Sequence, residues 1–170
     1  IFACVILKLH QNFDAARRLL DQAEQAIIAL KDDTAIVSPG FFSKLRGRRA
    51  RLTRQQLNLA WITLQRSSCD VMYFSIRDEE IHEEVATHAM ARIKNARALI
   101  EEVVPELNRN QGTGKDIQLV GLILSQCASI ATMCKNFDDT EASYALWENL
   151  EKAFTRFAPS KKHVALDLLL

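Results

Sequence analysis

Apolar residues recur along most of this chain at spacings of three and four, with few interruptions. Between positions 13 and 30, Ala16, Leu19, Leu20, Ala23, Ile27 and Leu30 form one such stripe, while Arg17, Arg18, Asp21 and Glu24 fall largely on the other side. That is the pattern of an amphipathic helix with one face turned to a core. Asp, Ser, Pro and Gly then gather in KDDTAIVSPG and predict a loop over 32–40. From Phe41 the pattern restarts, stumbles at Gly47, and runs through Leu52, Leu57, Ala60, Trp61 and Leu64 to Cys69, Met72 and Phe74. It predicts a long helix over 48–74 with a weak point at SSCD.

In the next segment, SIRDEEIHEEVATHAMARIKNARALIEEVVPEL, Ser75 or Asp78 stands ready to cap a helix that carries acids in its first turn and keeps its period to Pro105. NRNQGTGK, with two glycines and no apolar residue, predicts a flexible linker near 106–115. From Ile117 to Cys134 the chain is almost continuously apolar, so this helix is expected to be buried on most sides. KNFDDTE makes a short turn with Asp138, Asp139 or Thr140 as cap, and Ala142, Ala145, Leu146, Leu150, Ala153, Phe154 and Phe157 form the next stripe. Pro159 ends it, and a last helix is expected from Lys161.

Composition agrees with this pattern. Apolar residues make up 48% of the chain and only 5 glycines and 3 prolines interrupt it, which favours long helices over strands and turns. A length of 170 residues suits one domain with a sizeable core. The formal charge of +1 excludes a chain that is polyanion-binding over its whole surface, so any such site must be local. Cys4, Cys69, Cys127 and Cys134 form no CxxC pair and are expected to be reduced structural thiols of an intracellular protein. IFACVIL is too short to span a membrane and has no signal-peptide start. Together with the equally apolar HVALDLLL, it marks residues 1–170 as a single all-α helical-repeat domain, expected to be a piece of a longer array.

In QNFDAARRLLDQAEQAI, Phe13, Ala16 and Ala23 have the aromatic and small-residue spacing that lets neighbouring helices approach closely. The segment resembles the second helix of a tetratricopeptide repeat (TPR). KNFDDTEASYALWENLEKAF keeps Phe137 and Ala153 with the alanine register shifted, and the two copies are not separated by a multiple of the repeat's usual length of about 34 residues. The resemblance implies an antiparallel helix-hairpin array, a TPR-like α-solenoid segment of six to seven helices with no sheet.

Candidate chemistry is sparse. Glu79 and His82 have the Glu-x-x-His spacing that di-iron bundles use, but no second such pair exists, and an acidic solvated first turn accounts for them. His82 and His88 lie too far round a helix for the His-Glu-x-x-His zinc motif. In NFDDTE the third acid, Glu141, falls one place early for Asp-Asp-x-x-Asp, so helix capping explains the run better. No Gly-rich nucleotide loop or nucleophile elbow is present, and Trp61 and Trp147 are expected to fill core. KLRGRRARLTR is the one extreme feature. Lys44, Arg46, Arg48, Arg49, Arg51 and Arg54 either pair with Glu79, Glu80, Glu83 and Glu84 within the fold or contact a partner.

These readings converge on a non-enzymatic protein–protein interaction scaffold, with those six cations facing an acidic segment of a protein partner and with no cofactor, metal or membrane. Two alternatives remain open. One is a nucleic-acid- or phosphate-binding helical module using the same patch, which lacks interleaved aromatics. The other is a metal-dependent helical-bundle enzyme centred on Glu79 and His82.

Overall fold

The structure is a computed structural model that describes residues 7–30, 35–37, 52–108 and 114–157. The fold is all-α. A helical turn at 7–9 is followed by α1 (Phe13–Leu30), α2 (Arg54–Ile76), α3 (Glu83–Asn108), α4 (Gly114–Met133) and α5 (Phe137–Phe157). The helix expected from Lys161 lies outside the described residues.

Two short strands add what the apolar pattern did not predict. β1 (Ala35–Val37) pairs antiparallel with β2 (Leu52–Thr53), with Ala35 opposite Thr53 and Val37 opposite Leu52. This pairing occupies part of the expected loop and delays the start of α2 from the expected 48 to Arg54. Nor does α2 break at SSCD. Ser67, Ser68 and Cys69 are buried, and neighbouring helices supply the partners that make serine tolerable there. Arg92 Nη1 donates to Ser67 Oγ at 3.0 Å, while Lys8 Nζ donates to Ser68 Oγ at 3.1 Å and to Gln65 Oε1 at 2.8 Å. The expected linker near 106–115 is also shorter: α3 runs through Pro105 to Asn108 and α4 starts at Gly114. Pro105 falls in the last turn of α3, where its missing N–H removes a single ladder bond.

Three helix corners share one construction. Before α1, Asn12 N–H donates to Leu7 O (2.8 Å) and Gln11 N–H to Lys8 O (2.9 Å), with Gln11 in the left-handed region at φ 58°. After α2, Glu79 N–H donates to Phe74 O and Asp78 N–H to Ser75 O, with Asp78 at φ 55°. After α4, Asn136 N–H donates to Ala131 O and Lys135 N–H to Thr132 O, with Lys135 at φ 56°. Each is a Schellman motif that closes the orphan carbonyls of a helix end, here without glycine.

At the first and third corners the residue after the left-handed one is Asn, and it caps the next helix. Asn12 Oδ1 accepts from Ala15 N–H and Asn136 Oδ1 from Asp139 N–H, both at 3.2 Å. The repeated Asn-Phe-Asp is therefore a corner signal. Asn caps, Phe opens the helix, and the acid that follows, Asp14 in α1 and Asp138 in α5, is favoured at the positive helix end. The caps expected at Asp138, Asp139 or Thr140 thus belong to Asn136 instead. Ser75 lies inside α2 and Asp78 ends it, so neither caps α3, whose first carbonyl acceptor is His82.

Packing follows chain order. α2 packs on α1, α3 and α4, and α3 and α4 each pack on α5 and on one another. Phe13 at the start of α1 meets Tyr73 near the end of α2, and Asn136 reaches Met90 early in α3, so all three corners lie at the same end of the array. The core is centred on α4, whose Ile117, Val120, Ile123, Leu124, Cys127 and Ile130 are buried. By length and composition Lys115–Met133 would be apolar enough to cross a membrane, and 56% of that window is buried inside the fold.

On α5 the buried face differs from the expected stripe. Ser143 and Leu150 are buried while Ala142 and Ala145 are exposed. Ser143 can occupy this face because its hydroxyl donates to Asp139 O at 2.8 Å. The α4–α5 contact depends on Gly121: a Cβ there would lie 2.6 Å from Cζ3 of Trp147. Gly121→Ala is expected to destabilise the fold by about 1–2 kcal/mol, since displacing the ring outweighs the gain in helix propensity of about 1 kcal/mol. Chemical denaturation would measure this, and Trp147→Leu in the same chain should relieve part of the loss. An alanine variant as stable as the parent would show that the indole swings aside freely.

Candidate functional site

Of the six cations expected to meet a partner, the structure describes Arg54. Lys44, Arg46, Arg48, Arg49 and Arg51 lie outside the described residues. Arg54 opens α2, and its Nε donates to Asp116 Oδ1 at 2.8 Å. Asp116 sits in the first turn of α4 with its side chain only 3% exposed. A carboxylate at a helix start is favoured there, and burial beside a guanidinium makes the pair part of the packing of α2 on α4. Arg54 is therefore engaged within the fold rather than free for a partner. Nor is its acid one of those expected: Glu79 and Glu80 lie beyond the far end of α2, whose 23 residues span about 34 Å.

The enzyme-like motifs do not assemble. Residues 79–82 form the irregular turn before α3, so Glu79 and His82 do not share a helix face as a Glu-x-x-His ligand pair would. Both are exposed, and the imidazole of His82 tilts against Phe74 with centroids 4.6 Å apart. Among the described residues no group of three or more His, Cys, Asp or Glu could hold a metal ion. In NFDDTE, Asp139 faces inward, where it pairs with Arg97 of α3 and accepts from Asn136 Nδ2 at 3.0 Å. Cys69 and Cys127 are buried thiols that form no disulfide, and Cys134 is half-buried. Burial pushes the Cys127 thiol up from 9.0 to about 12, partly offset by the Arg97 guanidinium and reinforced by Asp139. Burial raises Cys134 as well. As expected, Trp61 is core, whereas Trp147 is half-buried over Gly121.

What the structure does bring together is a charged and aromatic seam on α2. Arg17 of α1 donates from Nε and Nη2 to Asp70 Oδ1 at 3.1 and 3.0 Å, and its guanidinium carbon lies 5.7 Å from the Tyr73 ring centroid. Phe13, one turn earlier on α1, meets that ring edge-on at 5.7 Å. Arg77 covers Tyr73 at 3.6 Å, and Arg92 of α3 approaches Asp70 Oδ2 at 3.9 Å. One turn along the seam, Arg66 pairs with Asp21 and Glu24 of α1. Sequence reading missed this seam because it joins residues distant along the chain, such as Arg17 and Asp70, which are 53 positions apart. The legible signal was a carboxylate three residues before a tyrosine, at Asp70 and Tyr73.

α5 presents the opposite situation. Phe137 is 66% and Tyr144 58% exposed, with Glu141 and Glu148 exposed beside them. Advancing about 100° per residue, these four positions fall within an arc of about 60° and form one outward stripe. Among the described residues none of the four side chains has a hydrogen bond or ion pair. Compared with known protein families, curated proteins and solved structures, the chain matches none.

Proposed function

We propose that this chain is a non-enzymatic scaffold that docks other proteins on the outer faces of a TPR-like helix-hairpin array. The observation that carries the reading is the packing order, in which helices rest on the next and next-but-one element along the chain. A core built this way extends along one direction and leaves long helix faces for partners, as repeat arrays do. The exposed aromatics of α5 support it, since monomeric surfaces seldom line up such side chains without use. The basic segment is a second contact region, reduced to Lys44, Arg46, Arg48, Arg49 and Arg51 because Arg54 is bound to Asp116. It suits an acidic protein segment, because arginine forks grip carboxylates through paired hydrogen bonds.

The triple variant Arg48→Glu, Arg49→Glu, Arg51→Glu tests this. Its helical circular dichroism and melting temperature should match the parent, while binding of a labelled poly-glutamate peptide should fall about tenfold and lose its salt dependence. Unfolding of the variant would mean that these arginines hold the fold together. Preferential loss of oligonucleotide binding would transfer the segment to a nucleic-acid role.

A further inference from the structure

The chain has two tyrosines, and each follows a carboxylate by three residues: Asp70 with Tyr73 on α2, and Glu141 with Tyr144 on α5. Three residues along a helix bring the two side chains onto neighbouring positions of one face. The fold itself shows what the first pair receives. One arginine from an adjacent helix, Arg17, bonds the carboxylate through two nitrogens and lies over the ring, while Phe13, four residues before it, packs against the ring edge. The second pair has the same spacing and no such neighbour among the described residues. It is also extended by Phe137 and Glu148 along the same stripe, with Asp138 exposed at its side.

From this correspondence we propose that the Glu141 and Tyr144 face of α5 is a docking site for a helix of another protein bearing an arginine one turn after an aromatic residue. The guanidinium bonds Glu141 and covers the Tyr144 ring, and the aromatic packs between Tyr144 and Phe137. Charge selects the occupant: among the described residues the stripe offers two carboxylates and no cation, so a basic helix is attracted and an acidic one repelled. Arginine is preferred over lysine because a planar fork can bond a carboxylate and stack on a ring at once. This face extends the scaffold reading to residues other than those of the basic segment, and either can fail alone.

The test is a titration of the full chain with a labelled 16-residue amphipathic helical peptide carrying Phe and Arg four positions apart, alongside its Arg→Gln counterpart. The arginine peptide should bind about tenfold more tightly. Glu141→Gln and Tyr144→Ala, both at exposed positions and checked by circular dichroism, should each abolish that preference, whereas the Arg48→Glu, Arg49→Glu, Arg51→Glu variant should keep it. Equal binding of the two peptides, no binding of either, or a preference that survives both α5 substitutions would overturn the proposal. So would a dimer in sedimentation that Tyr144→Ala dissolves, because the occupant would then be a second copy of this chain.

Discussion

Replacing Arg97 by methionine is expected to lower the unfolding free energy by about 3 kcal/mol, the scale for removing one partner of a largely buried ion pair. The Arg97 and Asp139 side chains are only 16% and 21% exposed, and Arg97 Nη1 also donates to the Asp139 backbone carbonyl at 3.2 Å. Methionine fills much of the same volume but leaves the Asp139 carboxylate with the Asn136 amide as its remaining side-chain donor. Because Asn136 caps α5, the unpaired charge would be felt at the corner that fixes α5 against α4. Urea unfolding of Arg97→Met, Asp139→Asn and the double variant forms the appropriate cycle. The double variant should lose clearly less than the two single losses combined, and a loss below about 1 kcal/mol for Arg97→Met would show the pair to be solvated in solution.

The second large effect is a loss of stability in alkali that belongs to Cys127. Its thiol is fully buried and pushed up to about 12, against 9.0 for an unperturbed thiol. A raised folded value means the folded state holds the proton longer than the unfolded one. The contribution is therefore complete below pH 9 and is lost as pH rises from 9 through 12, on the order of 4 kcal/mol over the window. Tyrosines and lysines titrate in the same range, so the informative quantity is the difference from Cys127→Ala, in which those groups are unchanged. The alanine variant should start less stable because of its cavity, and the two stability curves should converge as pH rises from about 9 to about 11. Parallel curves would mean that the thiolate is accommodated in the folded chain. Arg97 lies close enough to hold the thiol down somewhat, so Arg97→Met should extend the loss to higher pH.

Helix content was legible because it rests on local period. Ala16 and Leu20 of α1 and the apolar run of α4 are buried as their spacing predicts. The departures have tertiary causes. Serine and aspartate at 67–70 weaken a helix in isolation, but Lys8, Arg17 and Arg92 arrive from other elements to satisfy them. The register of α5 was misjudged because Ser143 looks polar until its hydroxyl is tied to Asp139 O. At the candidate sites, a run of arginines is visible in any sequence, whereas the engagement of Arg54 depends on Asp116, 62 positions away. The α5 stripe was hidden for a different reason: Phe137 and Tyr144 have the spacing of core residues, and only the packing of the other helices shows that nothing described covers them.

The three Schellman corners stand together at one end of the array, while α1 ends, α2 begins, α3 ends and α4 begins at the other. Each corner counts its residues strictly, because two crossed hydrogen bonds and one left-handed residue must fall at fixed offsets. One inserted residue would break both bonds and, at the first and third corners, move the asparagine cap out of reach. Between Asn108 and Gly114 the sequence RNQGT offers no apolar side chain for a core to hold. For anyone engineering this chain, the molecule thus has a closed edge and an editable one. Peptide grafts and reporter insertions belong between α3 and α4, where added length changes loop entropy only slowly.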